Sequence, residues 1–186
     1  MESRVNALRP FLDSLLEQKD RVILAIDGSC TAGKTSLAAA LAQVYDCNVF
    51  HMDDFFLRPE QRTRERFAEP GGNVDYERFY EEVLQPLSRG DAFSYRPFSC
   101  RSFTLGQPVS VLPRVLSIVE GTYSLHPYFG DVYDGKVLLT VSPEVQRARI
   151  LQRPQPLHER FFREWIPMEQ TYLETFQIAD KCDVVL

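Results

Sequence analysis

The chain has 186 residues, 44% of them hydrophobic and 25% charged, with a net charge of −5. That length and apolar content suffice for one α/β domain over residues 1–186, and the acidic balance argues against nucleic acid or an anionic membrane as a partner, because no bulk positive field would collect phosphates. Cys30, Cys47, Cys100 and Cys182 lack the spacing of a zinc site or a disulfide frame, no apolar run approaches the roughly 20 residues of a membrane helix, and residues 1–4 do not open a secretory signal, so a cytoplasmic protein is expected.

Val5, Leu8, Phe11, Leu12, Leu15 and Leu16 recur at helical spacing and predict an amphipathic helix over 3–19. The apolar run Val22-Ile23-Leu24-Ala25-Ile26 reads as a buried strand, and the residues from Thr35 to about Tyr45 read as a helix. Between them Gly28-Ser29-Cys30-Thr31-Ala32-Gly33-Lys34-Thr35 spells G-x-x-x-x-G-K-T, a phosphate-binding loop in the strand-to-helix context that its mechanics require. The glycines let successive N–H groups turn inward, and the helix N-terminus adds partial positive charge where phosphate oxygens would lie. Residues 28–36, Ser36 included, are therefore candidates to bind ATP, with Lys34 reaching the β- and γ-phosphates and the Thr35 hydroxyl a ligand for Mg2+.

Asn48-Val49-Phe50-His51-Met52 reads as the second strand. Arg58 to Asn73 is polar and rich in turn formers, and a mobile loop is expected there. A helix opens at Asp75 and ends near Arg89-Gly90, with glycine after its last turn. Alternating segments at Phe93-Ser94-Tyr95 and Pro108-Val109-Ser110-Val111 suggest a hairpin within an insertion spanning 91–112. Val115 to Val119 is apolar throughout, as a parallel strand covered on both faces should be, and ends in Glu120-Gly121. Lys136 to Val141 repeats that signature, followed by the helix-start signal Ser142-Pro143-Glu144. The helix beyond carries Arg147, Arg149 and Arg153, Pro154-Gln155-Pro156 breaks it, a second helix carries Arg160 and Arg163, and Asp183-Val184-Val185-Leu186 closes as a short strand. Strands alternating with helices predict a parallel sheet with helices on both faces.

Ligands bind such sheets beyond the carboxyl ends of the strands, so the residues there carry the chemistry. Strand two runs into Asp53-Asp54, and Asp53 beside the phosphate loop could orient an acceptor hydroxyl and take its proton as it attacks the γ-phosphate. Glu120, ending strand three, stands where an acid would position magnesium or its waters. Arginines from 147 to 163 could close over the site and stabilise charge on the transferring phosphoryl group; Arg149 and Arg153, four apart, share a face. Tyr123 and His126 lie beyond a strand end within reach of a substrate, although a histidine beside a proline turn is commonly structural. No N/T-K-x-D guanine-reading motif occurs, and no D-x-x-G follows strand three, which favours catalysis over a nucleotide-state switch.

Gly28 to Thr35, Met52-Asp53-Asp54-Phe55-Phe56, Gly71 to Tyr76, Tyr95-Arg96-Pro97-Phe98 and Val119 to Tyr123 occur in the order seen in uridine kinases, and the chain most resembles their short bacterial forms. The resemblance implies an α/β P-loop NTPase fold with a five-stranded parallel sheet flanked by helices, a small β-hairpin insertion at 91–112, and a helical lid at 147–163. It implies Asp53 as base for a 5′-hydroxyl, Asp75 on ribose hydroxyls, Tyr95 against the base, Glu120 serving Mg2+, and Arg149 with Arg153 in the lid. Two departures stand out: Cys100 occupies the place of a histidine found in nucleoside-reading members, and Gln152 with Pro154-Gln155-Pro156 replaces more charged lid residues. The expected activity is ATP-dependent phosphorylation of a primary hydroxyl on a small molecule, with a pyrimidine nucleoside leading. A pantothenate or sugar-phosphate kinase, or a non-catalytic nucleotide-binding module, is the alternative, and assembly as a homo-oligomer stays open.

Overall fold

The computed structural model describes residues 2–186, and Met1 lies outside them. Helix α1 (Glu2–Gln18) packs Val5, Leu8 and Leu12 inward, as the apolar spacing predicts. Strand β1 (Val22–Gly28) is buried at every residue and runs two residues past the apolar run, because Asp27 and Gly28 continue the ladder. Helix α2 (Lys34–Leu41) follows the phosphate loop and gives way to turns before Tyr45, shorter than its composition suggests.

Strand β2 (Cys47–His51) leads into a 3-10 turn, Met52–Phe55, that carries both Asp53 and Asp54. The segment expected as a loose loop is instead folded. It holds a 3-10 turn (Pro59–Gln61) and helix α3 (Arg64–Ala68), capped by the Thr63 side chain. Arg66 explains the difference, because its guanidinium donates to the Gly72 and Val74 carbonyls, to Tyr76 Oη and, at 2.6 Å each, to both Glu77 carboxylate oxygens. Five bonds from one side chain supply the order that local propensity lacks.

Helix α4 (Tyr76–Phe79) continues through a π-helical turn (Tyr80–Leu84) into α5 (Gln85–Arg89), which ends on left-handed Gly90. The insertion forms two short antiparallel ladders, where one hairpin is expected. β3 (Phe93–Tyr95) pairs with β6 (Val109–Val111), and β4 (Phe98–Ser99) with β5 (Thr104–Leu105) lies nested between them. Strands β7 (Leu116–Glu120) and β8 (Gly135–Leu139) follow, then α6 (Pro143–Leu151) with Ser142 at its N-cap. The proline break is a 3-10 turn (Gln155–Leu157), after which α7 (His158–Arg160), a π-helical turn (Phe161–Trp165) and α8 (Ile166–Thr175) run on before the short β9 (Val184–Val185).

The main sheet is five-stranded and parallel throughout, in the order β2-β7-β1-β8-β9. Period-two alternation along β1 sends Leu24 and Ile26 to a cluster with Leu8, Leu12, Leu37 and Leu41, and Ile23 and Ala25 to one with Phe50, Val119 and Tyr172. The register sets Ile26, Glu120 and His51 side by side at the carboxyl edge, so the acid ending β7 stands between the phosphate loop and the Asp53 turn.

Candidate functional site

Above that edge lies a cavity of about 1380 Å³, lined by Cys30 to Ser36 of the loop and by Asp53, Glu120 and Arg153, among others. Gly28 and Ser29 sit behind it: their carbonyls accept from Lys34 Nζ at 2.7 and 2.9 Å, and Thr122 Oγ1 accepts from the same ammonium at 3.1 Å. The lysine is thereby held across the loop it belongs to. Gly28 must be glycine, because its φ is +136° and a Cβ would meet the Leu139 carbonyl oxygen at 2.1 Å. Gly33, at φ 101°, turns the chain into α2.

Thr35 Oγ1 donates to Glu120 Oε1 at 3.0 Å, and His51 Nδ1 meets the same oxygen at 2.5 Å. The Glu120 bond raises the His51 imidazole above its ordinary value, with Asp53 and Asp54 reinforcing it. Asp53 is exposed to the cavity, with protein packed around that opening, so desolvation raises its carboxyl, the Glu120 charge adds to that, and Lys34 opposes both. The turn that carries it is pinned from outside. Asp75 N–H donates to the Phe55 carbonyl, Phe56 bridges Val74, and buried Arg78 donates to the Asp54 carbonyl with its guanidinium over the Phe55 ring.

Of the arginines expected to close over the site, Arg149 donates to the Thr31 carbonyl at 2.7 Å, and Arg153 lies over the Phe161 ring with its charge acting on Asp53. Both line the cavity, as does Arg160, whereas Arg147 is turned onto Phe162 outside it. Tyr123 also lines it, with a positive φ of 76° beside Tyr172.

Three expected substrate contacts are placed elsewhere. Tyr95 is buried in the apolar core, stacked on Phe55 and tilted against Phe50, because the β3–β6 ladder turns it toward the sheet. Asp75 caps its own helix by accepting from Arg78 N and is ion-paired with Arg58 and Arg78. His126 stacks on Tyr76 at 4.1 Å beneath the surface, and burial drives its imidazole down to about 4.

Sequence reading missed two carboxylates. Asp27 is fully buried and accepts from Gly28 N, Tyr123 N, Leu125 N and Tyr172 Oη, tying the loop to the β7 exit and to α8. Its signal was an acid directly following the apolar run, one residue before the first loop glycine. Glu169 accepts the Cys30 N–H at 2.9 Å from α8, and nothing local in the sequence marks it.

No family model matches the chain, and no curated protein does. Solved structures do. A possible uridine kinase from Bacillus stearothermophilus superposes with a TM-score of 0.71 at 22% identity, over 97% of this chain and 99% of that one. A proposed fructose transport system kinase from Silicibacter gives 0.65 at 21% identity, over 96% and 98%. The likeness establishes the fold, an α/β architecture with a five-stranded parallel sheet flanked by helices. Among the described residues no helix is long and apolar enough to cross a membrane.

Proposed function

We propose that the chain is an ATP-dependent phosphotransferase acting on a primary hydroxyl of a small molecule. The observation that carries this reading is the shared cavity in which Asp53 faces the amide loop and Lys34, with Glu120 between them at the sheet edge. A nucleotide held by the loop would present its γ-phosphate to Lys34, to Arg149 of α6 and to Arg153 just beyond that helix. The acceptor oxygen then bonds to the γ-phosphorus, the bond to the β–γ bridging oxygen breaks, ADP leaves, and the hydroxyl proton passes to Asp53. A raised carboxyl is the better proton acceptor, provided it is ionised at the working pH.

Mg2+ fits the donor set: Thr35 and Glu120 offer hard oxygen ligands in contact with each other, with Asp53 nearby. Among the described residues no cluster of three or more His, Cys, Asp or Glu forms an all-protein cage. That suits an ion held by one or two side chains plus substrate phosphates, where it would neutralise charge on the phosphoryl group.

Two acceptor classes compete. The sequence resemblance and the name of the Bacillus relative favour a pyrimidine nucleoside such as uridine or cytidine. The seclusion of Tyr95 and Asp75 from the cavity counts against a nucleoside read by those two residues and so favours the alternative acceptors, of the pantothenate or sugar-phosphate kind.

A coupled assay of ADP release across nucleosides, pantothenate, sugars and sugar phosphates, read against background ATP hydrolysis, tests the reaction. Asp53→Ala is expected to keep ATP binding and lose turnover by roughly 10²–10⁴-fold. Unchanged turnover would remove Asp53 as the base, and silence with every acceptor would favour a nucleotide-binding module.

A further inference from the structure

Building on the phosphotransfer reading, we infer that the acceptor carries an anionic group, a phosphate or a carboxylate, bound by Arg62 and Arg101 at the end of the cavity under the nested β4–β5 hairpin. The cavity wall there is cationic and largely unneutralised. Arg160 has Glu164 at 3.3 Å, whereas Arg62 and Arg101 have no carboxylate at ion-pair distance among the described residues. Arg62 is preoriented: its Nε donates to the Leu57 carbonyl at 2.9 Å and its guanidinium lies 5.0 Å from the centre of the Phe103 ring. Arg101, exposed in the turn between β4 and β5, is free to swing onto a ligand.

Cys100 locates this end relative to the chemistry. It adjoins Arg101 in the chain and lines one cavity with Arg62, Arg160 and Asp53. One small molecule can therefore set a hydroxyl against Asp53 and an anion against the guanidiniums. Apart from Asp53, the acids of the cavity are committed elsewhere: Glu120 to Thr35 and His51, Glu169 to the loop amide of Cys30, and Glu164 to Arg160. Of the other arginines, Arg149 is turned to the loop and Arg153 acts on Asp53, which assigns them to the transferring phosphoryl group. Planar guanidiniums matched to a terminal anion also discriminate, because a neutral acceptor leaves them unpaired.

The test compares matched acceptors: a sugar with its monophosphate, pantothenate with the neutral alcohol lacking its carboxylate, and uridine. Anionic members are expected to exceed neutral ones by tenfold or more in kcat/KM, and the larger gain identifies phosphate or carboxylate. Arg101→Gln is expected to raise KM for the anionic acceptor about tenfold, the scale of one charge-assisted hydrogen bond, while leaving ATP affinity by fluorescence titration in place. Arg62→Lys, which keeps charge but not the fork, should raise the same KM. Neutral acceptors turned over as well as anionic ones, or variants that leave that KM alone, would overturn the inference and leave phosphotransfer standing. ATP binding without ADP release from any acceptor would remove both readings.

Discussion

The loop side and the acceptor side of the cavity are built by different physics. On the loop side backbone does the work: β1 is buried at every residue, Gly28 packs against Leu139 without a Cβ, and buried Asp27 gathers three amides and a phenol. On the acceptor side the order comes from guanidiniums. Arg66 assembles residues 63–77, Arg78 fixes the Asp53 turn, and Arg62 reaches Leu57. A backbone-built cradle tolerates little change of any kind. A side-chain-built wall can change its ligand by changing a few residues, which accords with one fold serving relatives whose names carry different acceptors.

The largest effect expected on this contrast is at the loop. Gly28→Ala forces a Cβ to within 2.1 Å of a backbone oxygen at a φ that L residues avoid, so β1 and β8 must part. A destabilisation of roughly 4 kcal/mol or more is expected by urea denaturation, with loss of ATP binding. A variant that folds and binds ATP normally would show that the loop is less constrained than its contacts imply.

Arg66→Ala strikes the other side. It removes five hydrogen bonds around a guanidinium that is 16% exposed, while Glu77 is 39% exposed and can rehydrate. Allowing for that solvent screening, a loss of about 2–3 kcal/mol is expected. The acceptor KM should rise while ATP affinity holds. Equal losses of ATP and acceptor binding would erase the distinction between the two regions.

The same division explains what the sequence discloses. The strands, the loop, Asp53, Glu120 and the Ser142 cap are local signals, written in apolar runs and turn chemistry within a few residues, and the structure carries each of them. Residues 58–73 look like an open loop because what folds them is a partner set extending to Glu77, chosen by one arginine among several in that stretch. Tyr95, Asp75 and His126 have residue types that suit substrate contact, yet direction decides their role. β-pairing turns Tyr95 into the core, helix capping occupies Asp75, and aromatic stacking encloses His126. Glu169 meets the loop across 139 positions of sequence, a separation that no local pattern records.

His126 provides the sharpest test, because it titrates and its effect vanishes at neutral pH. Its ring lies among Tyr76, Phe129, Tyr172 and Phe176, and its Nδ1 accepts from Tyr128 N–H. Desolvation is the main cause of the fall to about 4 from an ordinary 6.5; a hydrogen bond with the Pro70 backbone is the chief offset, and the Arg66 charge, which adds to the fall, is opposed by that of Glu77. A histidine depressed in this way is neutral when folded and takes up a proton on unfolding. Its contribution is intact above 6.5 and is lost as pH falls toward 4. Between pH 7.5 and 4.5 that linkage amounts to about 2–3 kcal/mol. His126→Phe keeps the stacking and removes the titration, so wild type is expected to lose that much more than the variant in urea melts at the two pH values. Parallel losses would mean that the ring protonates freely in the folded chain, and the aromatic wall that Arg66 anchors through Tyr76 would then be open to water.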